Sequence, residues 1–188
     1  MRKLVLGTFL VAGILAAATP AAAAGNANFI LGVRALGDEW DPIDEQGVLG
    51  LNMDLGGANW PVQIEFGFHA SGAEDDIGPL DVTASIAELQ VGVQKFWKVG
   101  STMRPFVGGG LALVWAEVEL EDNLGFSVDE DDNTVGAYVH GGIYWRLGKA
   151  FNIGLDGRIT GTGDLEAFGS EVDANYFQLG MILGFGWE

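Results

Sequence analysis

From Tyr176 to Trp187 the odd positions read Phe177, Leu179, Met181, Leu183, Phe185 and Trp187. The even ones read Tyr176, Gln178, Gly180, Ile182, Gly184 and Gly186, so one face is wholly apolar and the other polar or glycine apart from Ile182. A period of two with that contrast predicts a β-strand whose two sides meet different surroundings. The split recurs from Val135 to Leu147, where Val135, Ala137, Val139, Ile143, Trp145 and Leu147 oppose Tyr138, His140, Tyr144 and Arg146. It recurs again in Phe151, Ile153, Leu155 and Ile159 against Asn152, Asp156, Arg158 and Thr160, and in Ala87, Leu89, Val91, Val93 and Trp97 against Glu88, Gln90 and Gln94. Three earlier segments add apolar faces: Phe29 to Ala35, Leu49 to Leu55 and Val62 to Ala70, with Arg34, Asn52, Asp54, Gln63, Glu65 and His69 opposite. The segment Phe106 to Val118 is apolar on both faces and contains three consecutive glycines, Gly108 to Gly110, which leaves its register open.

Eight strands are therefore predicted, joined alternately by short and long connections. Gly56 to Pro61, Lys98 to Pro105 and Gly148 to Ala150 are short, whereas residues 37–46, 71–81, 117–133 and 161–174 are long and rich in Gly, Asp and Asn. An even strand number with that alternation is the organisation of an up-and-down antiparallel transmembrane barrel, short turns on the periplasmic side and long loops outside.

Alternation alone does not say whether the apolar face meets a core or lipid, so a soluble lipocalin-like periplasmic binder competes with a membrane barrel. Two features favour lipid. The polar face is mostly Gly, Gln, Asn, Tyr and Thr, where a solvated surface would be about a quarter to a third charged. Aromatic residues also collect on the apolar face next to the short turns: Trp60, Trp97, Trp145 and Trp187, with Phe29 and Phe151 assigned to the same level. Amphipathic rings prefer the headgroup region, so this set is expected to form a girdle at the lipid interface.

Composition then narrows the setting. The chain has 188 residues, Lys+Arg 9 against Asp+Glu 26 and no Cys, a length that suits one domain. The net charge of -17 excludes nucleic acid as a partner, since phosphate binding rests on Lys and Arg. Of the 26 acidic residues, 21 fall in the four long loops, while Lys95, Lys98, Arg104 and Lys149 lie toward the opposite rim. Arg2 and Lys3, an apolar run from Leu4 to Ala18 and the small residues Ala22 and Ala24 read as a signal peptide over residues 1–24. Its apolar core is shorter than the roughly 20 residues a spanning helix needs. Export without a spanning helix points to the bacterial outer membrane, with the barrel at 25–188 and both termini periplasmic.

The stretches Arg104 to Leu113 (RPFVGGGLAL) and Gly141 to Arg158 (GGIYWRLGKAFNIGLDGR) resemble the fifth strand and the sixth-to-seventh hairpin of OmpA/OmpX-like outer-membrane barrels. The resemblance spans the mature chain. It implies an integral barrel inserted by the barrel assembly machinery among outer-membrane lipids and lipopolysaccharide. Members usually end on an aromatic residue, whereas here Glu188 follows Trp187, and the peptidoglycan-binding domain of larger relatives is not expected.

Candidate chemistry follows from the inward face, where Arg34, Arg146 and Arg158 share a narrow lumen with Glu65, Glu88 and Asp156. An unpaired charge inside costs several kcal/mol, so these six are expected to form a polar network that plugs the barrel. The alternative is a narrow ion or small-solute channel, although eight strands leave a lumen that side chains can fill. His69 and His140 face inward without a serine motif beside them, which reads as structural, and no enzyme activity is expected. The loop carboxylates Asp129, Asp131 and Asp132 are of the type that hold Ca²⁺ or Mg²⁺ weakly, yet a solvated acidic loop is the plainer reading, and no cofactor is expected. The favoured function is a structural or surface-interaction scaffold presenting acidic loops to a partner the sequence does not name.

Overall fold

A computed structural model describes residues 24–37, 40–56, 60–77, 80–122, 127–167 and 170–187. Residues 1–23, which hold most of the expected signal peptide, and Glu188 lie outside the described residues. Ten strands follow in chain order: β1 Ala24–Leu36, β2 Glu45–Gly56, β3 Gln63–Ile77, β4 Leu80–Phe96, β5 Met103–Asp122, β6 Ser127–Leu147, β7 Phe151–Thr162, β8 Asp164–Ala167, β9 Ser170–Asp173 and β10 Tyr176–Trp187. Eight of them close into an antiparallel barrel in the order β1-β10-β7-β6-β5-β4-β3-β2, and β8 and β9 form a separate two-stranded hairpin in the last long connection. Closure comes from β1 pairing with β10, Gly25 opposite Trp187 through Leu36 opposite Tyr176, so no barrel strand is left with an open edge.

The register places the predicted faces as read. Arg34 lies opposite Gln178, Gln178 opposite Arg158 and Asp54 opposite Glu65, all on the inner face. The outer face carries the exposed large apolar side chains, among them Leu31, Leu49, Val91, Leu111, Val139, Leu155 and Leu179. A wall this apolar on its outside and charged on its inside is stable only where the outside meets hydrocarbon. At the short turns Gly100 and Gly148 adopt φ of 64° and 65°, a left-handed conformation that a side chain would strain.

Three of the four loops expected from turn-forming composition are largely strand. β3 and β4 stay paired to Ile77 opposite Leu80, and β5 and β6 to Glu121 opposite Ser127, through most of the segments 71–81 and 117–133. In the connection 161–174, Gly161 and Thr162 prolong β7 before the β8–β9 hairpin. Pairing continues because alternation continues. β5 is 20 residues long and β6 is 21, about twice the roughly 9–11 that a tilted strand needs to cross a bilayer, and β3 and β4 have 15 and 17, so both hairpins project beyond the apolar band.

Candidate functional site: the barrel interior and its loop-end mouth

At the turn end the lumen is filled by amides around one guanidinium. Arg146 donates from Nε to Asn152 Oδ1 at 3.0 Å and from Nη2 to Asn26 Oδ1 at 2.6 Å, and Asn152 Nδ2 donates to the side-chain oxygens of Asn26 and Asn28. Glycine makes this possible, since a Cβ built at Gly186 would collide with Arg146 Nη2.

The middle of the lumen holds two linked clusters. Glu88 collects Arg34 Nη2 at 3.0 Å, Gln90 Nε2 at 2.6 Å and the Tyr176 hydroxyl at 2.6 Å and 2.5 Å to its two oxygens. The Arg34 guanidinium also stacks over the Tyr176 ring at 3.8 Å and donates to Gln178 Oε1. His69 donates from Nε2 to Asn52 Oδ1 at 2.8 Å and accepts at Nδ1 from Gln178 Nε2 at 3.2 Å, an assignment that uses both ring nitrogens of the Nε2–H tautomer. The second cluster centres on His140, whose Nδ1 hydrogen-bonds Asp156 Oδ2 at 2.9 Å. Its Nε2 lies 2.9 Å from Glu65 Oε2, an ion contact. Glu65 also accepts from the Tyr138 hydroxyl at 2.8 Å.

Arg158 joins the two clusters. Its guanidinium stands 3.9 Å from Glu65, 4.0 Å from Glu88 and 4.6 Å over the Tyr138 ring, held by charge and stacking with no hydrogen bond. All six residues assigned from sequence to the polar network thus face the lumen, joined there by further groups that include Asn52, His69, Gln90, Tyr138, His140, Tyr176 and Gln178. Beside the His140 cluster lies a cavity of about 10 Å³ that suits one water-sized occupant.

Above the charges the lumen turns apolar, which sequence reasoning missed. Val82, Ala84 and Ile86 of β4, Ala112, Val114 and Ala116 of β5, and Leu36, Tyr138, Ala174 and Tyr176 bury one cluster at the loop end. Trp40 and Ile43 from the first long connection fold down onto it, both buried. That connection is tied by Leu36 N–H donating to Asp44 O, by Ile43 N–H donating to Trp40 O, and by Ser71 Oγ donating to Gln46 Oε1. The readable signal was the apolar inner face of β5, the feature that had left its register open. Its odd residues Val107, Leu111, Leu113 and Trp115 face out, and its even ones from Ala112 onward fill the mouth.

On the outer wall Phe29, Trp60, Trp97, Trp145 and Phe151 are exposed, and Trp187 is half-buried. Trp145 and Phe29 share one cross-strand row through Ile153 and Leu183. Of the loop carboxylates, Asp131 is exposed on β6 opposite Glu117, whereas Asp132 is the next residue along and points to the other side of the strand. The side chain of Asp129 lies outside what is described. Among the described residues no three His, Asp or Glu side chains converge on a metal position.

Solved structures with this architecture span nearly the whole chain. A major outer-membrane protein from Thermus thermophilus superposes with a TM-score of 0.62 at 11% identity, covering 88% of this chain and 99% of its own. The fold is that of the small OmpA/OmpX-like outer-membrane barrels. Neisserial surface protein A matches at a TM-score of 0.56 and 8% identity over 87% of this chain and 95% of its own. Ail, the attachment invasion locus protein of Yersinia pestis, matches at 0.55 and 10% over 88% and 97%; that protein was crystallised with a heparin analogue. No protein-family profile and no curated protein matches the sequence. At these identities the OmpA/OmpX-like barrel is shared as architecture, and the lumen has to be read from its own residues.

Proposed function

We propose that this OmpA/OmpX-like barrel sits in the bacterial outer membrane as a closed scaffold, termini periplasmic, that presents an acidic sheet to the outside. The observation that carries this reading is the doubly stopped lumen, charged side chains in the middle and an apolar cluster under Trp40 at the mouth. Beyond the lipid band β5 points Glu117, Glu119 and Glu121 outward, and Glu117 lies opposite Asp131 of β6. Such a face suits a cationic partner, or lipopolysaccharide phosphates bridged by divalent ions. The proposal includes no catalysis: the hydrogen-bond and ion contacts of His69 and His140 are to Asn, Gln, Glu and Asp, an arrangement that fixes the rings without activating a nucleophile.

Planar-bilayer recording of the refolded protein tests the closed state. No steady conductance is expected from the native chain. Steady openings that persist after Arg34→Ala or Glu88→Ala would sink the scaffold reading and favour a narrow conduit. Recovery in the outer-membrane fraction with heat-modifiable gel migration tests the location.

A further inference from the structure

Asp54 is a buried carboxylate without a cationic partner. It is 1% exposed, and among the described residues no arginine or lysine comes within 4.0 Å of it. Its support is the amides of Gln94, which donates to Oδ2 at 3.1 Å, and Asn26. Oδ1 accepts nothing. Asp156, 2% exposed, is paired with His140 through Oδ2 but leaves Oδ1 without a partner. Both aspartates line the same cavity of about 10 Å³, together with Asn28, Asn52 and the unpartnered hydroxyl residue Tyr144.

A buried carboxylate that is neither paired nor fully hydrogen-bonded costs several kcal/mol, so unpaired Asp54, with the free Oδ1 of Asp156 on the same water-sized space, calls for positive charge in that space. His140 and Arg158 together supply at most two charges for Asp54, Asp156 and Glu65. The oxygens that line the space are hard ones, the free Oδ1 atoms of two carboxylates, a phenol, and the amide oxygens of Asn28 and Asn52, which also accept from Asn152 and His69, and hard oxygen sets suit alkali and alkaline-earth ions. The space admits one small ion and the local deficit is a single charge. From this we infer that the lumen binds one monovalent cation of the Na⁺ class between Asp54 and Asp156, as a structural ion of the folded barrel. The cation replaces the salt bridge that Glu88 obtains from Arg34.

The test is refolding of the mature chain at equal ionic strength in NaCl and in choline chloride, whose cation is too large for the site. Unfolding is followed by the temperature at which the compact gel band is lost. The midpoint is expected to be about 5 °C higher at 100 mM NaCl, as for a site well occupied at that concentration. The difference should vanish in Asp54→Asn and in Asp156→Asn. If one variant fails to refold, the other carries the comparison. Equal midpoints for the native chain in the two salts would overturn the proposal, with a proton on Asp54 then the better account. A difference retained undiminished in a refolded variant would overturn it equally.

Discussion

Along β5 the molecule holds two regions built on opposite rules. Between Val107 and Trp115 the outward side chains are apolar, and the lumen beside them holds the charged cluster of Glu65, Glu88 and Arg158. Beyond Trp115 the outward positions become Glu117, Glu119 and Glu121 while the inward ones, Ala116, Val118 and Leu120, join the apolar cluster. β4 makes the same exchange, with Ala87, Leu89 and Val91 outward in the lower part and Asp81, Thr83 and Ser85 outward above. The backbone pairing runs through the boundary unaltered. What changes is the solvent: lipid rewards an apolar outside and leaves polar groups to satisfy one another within, whereas water rewards the reverse. The place where the pattern inverts therefore marks the outer edge of the membrane band in the sequence itself.

The two regions should fail differently, and the largest failure lies in the charged layer. Glu88→Ala removes the acceptor shared by Arg34, Gln90 and Tyr176 and leaves a buried guanidinium uncompensated, a loss of about 3–5 kcal/mol. Denaturant unfolding of the protein refolded into vesicles measures it; a loss under about 1 kcal/mol would mean that the lumen is wet enough to solvate Arg34. Next comes the outer face. Leu111→Arg, in the middle of the apolar run of β5, should cost about 2–4 kcal/mol because it places a cation in hydrocarbon. Glu119→Arg, on the same face of the same strand, should stay within about 0.5 kcal/mol. Equal costs at the two positions would remove the boundary at Trp115.

That boundary also explains what was legible beforehand. The eight barrel strands, the inward set Arg34, Glu65, Glu88, Arg146, Asp156 and Arg158, and the exposed aromatic wall follow from a period of two that neither composition nor tertiary contact disturbs. The loop extents did not follow, because Gly, Asp and Asn in 71–81 and 117–133 read as turn formers, while in the fold they are tolerated on paired strands whose inner face is apolar. The mouth cluster was hidden for a related reason. A search for one apolar face per strand discards Val82, Ala84 and Ile86 as breaks in the pattern, although they are the same alternation under the opposite solvent. Trp40 was unreadable at any level, since its burial depends on a connection folding back across the lumen rather than on a strand period.

A smaller effect tests the upper core as a core. Val114→Ala should cost about 1–2 kcal/mol by removing two methyl groups from the cluster that includes Ile86, Ala112 and Tyr138, with membrane insertion unaffected. The readout is the unfolding midpoint together with protease sensitivity of the projecting hairpins, which should rise while the barrel fragment survives. Loss of the whole barrel in step with the hairpins would show that the two regions unfold as one unit.

The smallest effect has the opposite sign. Glu117 lies directly across from Asp131 on β6 and next to Ser85 on β4, so one cross-strand pair on the outward face sets like charges side by side. Facing charges of one sign destabilise a sheet by a few tenths of a kcal/mol to about 1 kcal/mol, less as salt screens them. Glu117→Gln should therefore stabilise the projecting hairpin by about 0.5 kcal/mol at low ionic strength and by almost nothing at roughly 0.5 M salt. Hydrogen exchange of the β5–β6 amides above Trp115, compared at the two salt concentrations, resolves a change of that size. A gain that ignores salt would assign the effect to local packing. A gain that salt removes would show that the acidic face is kept at a cost in stability, as expected of a surface retained for the partner it meets.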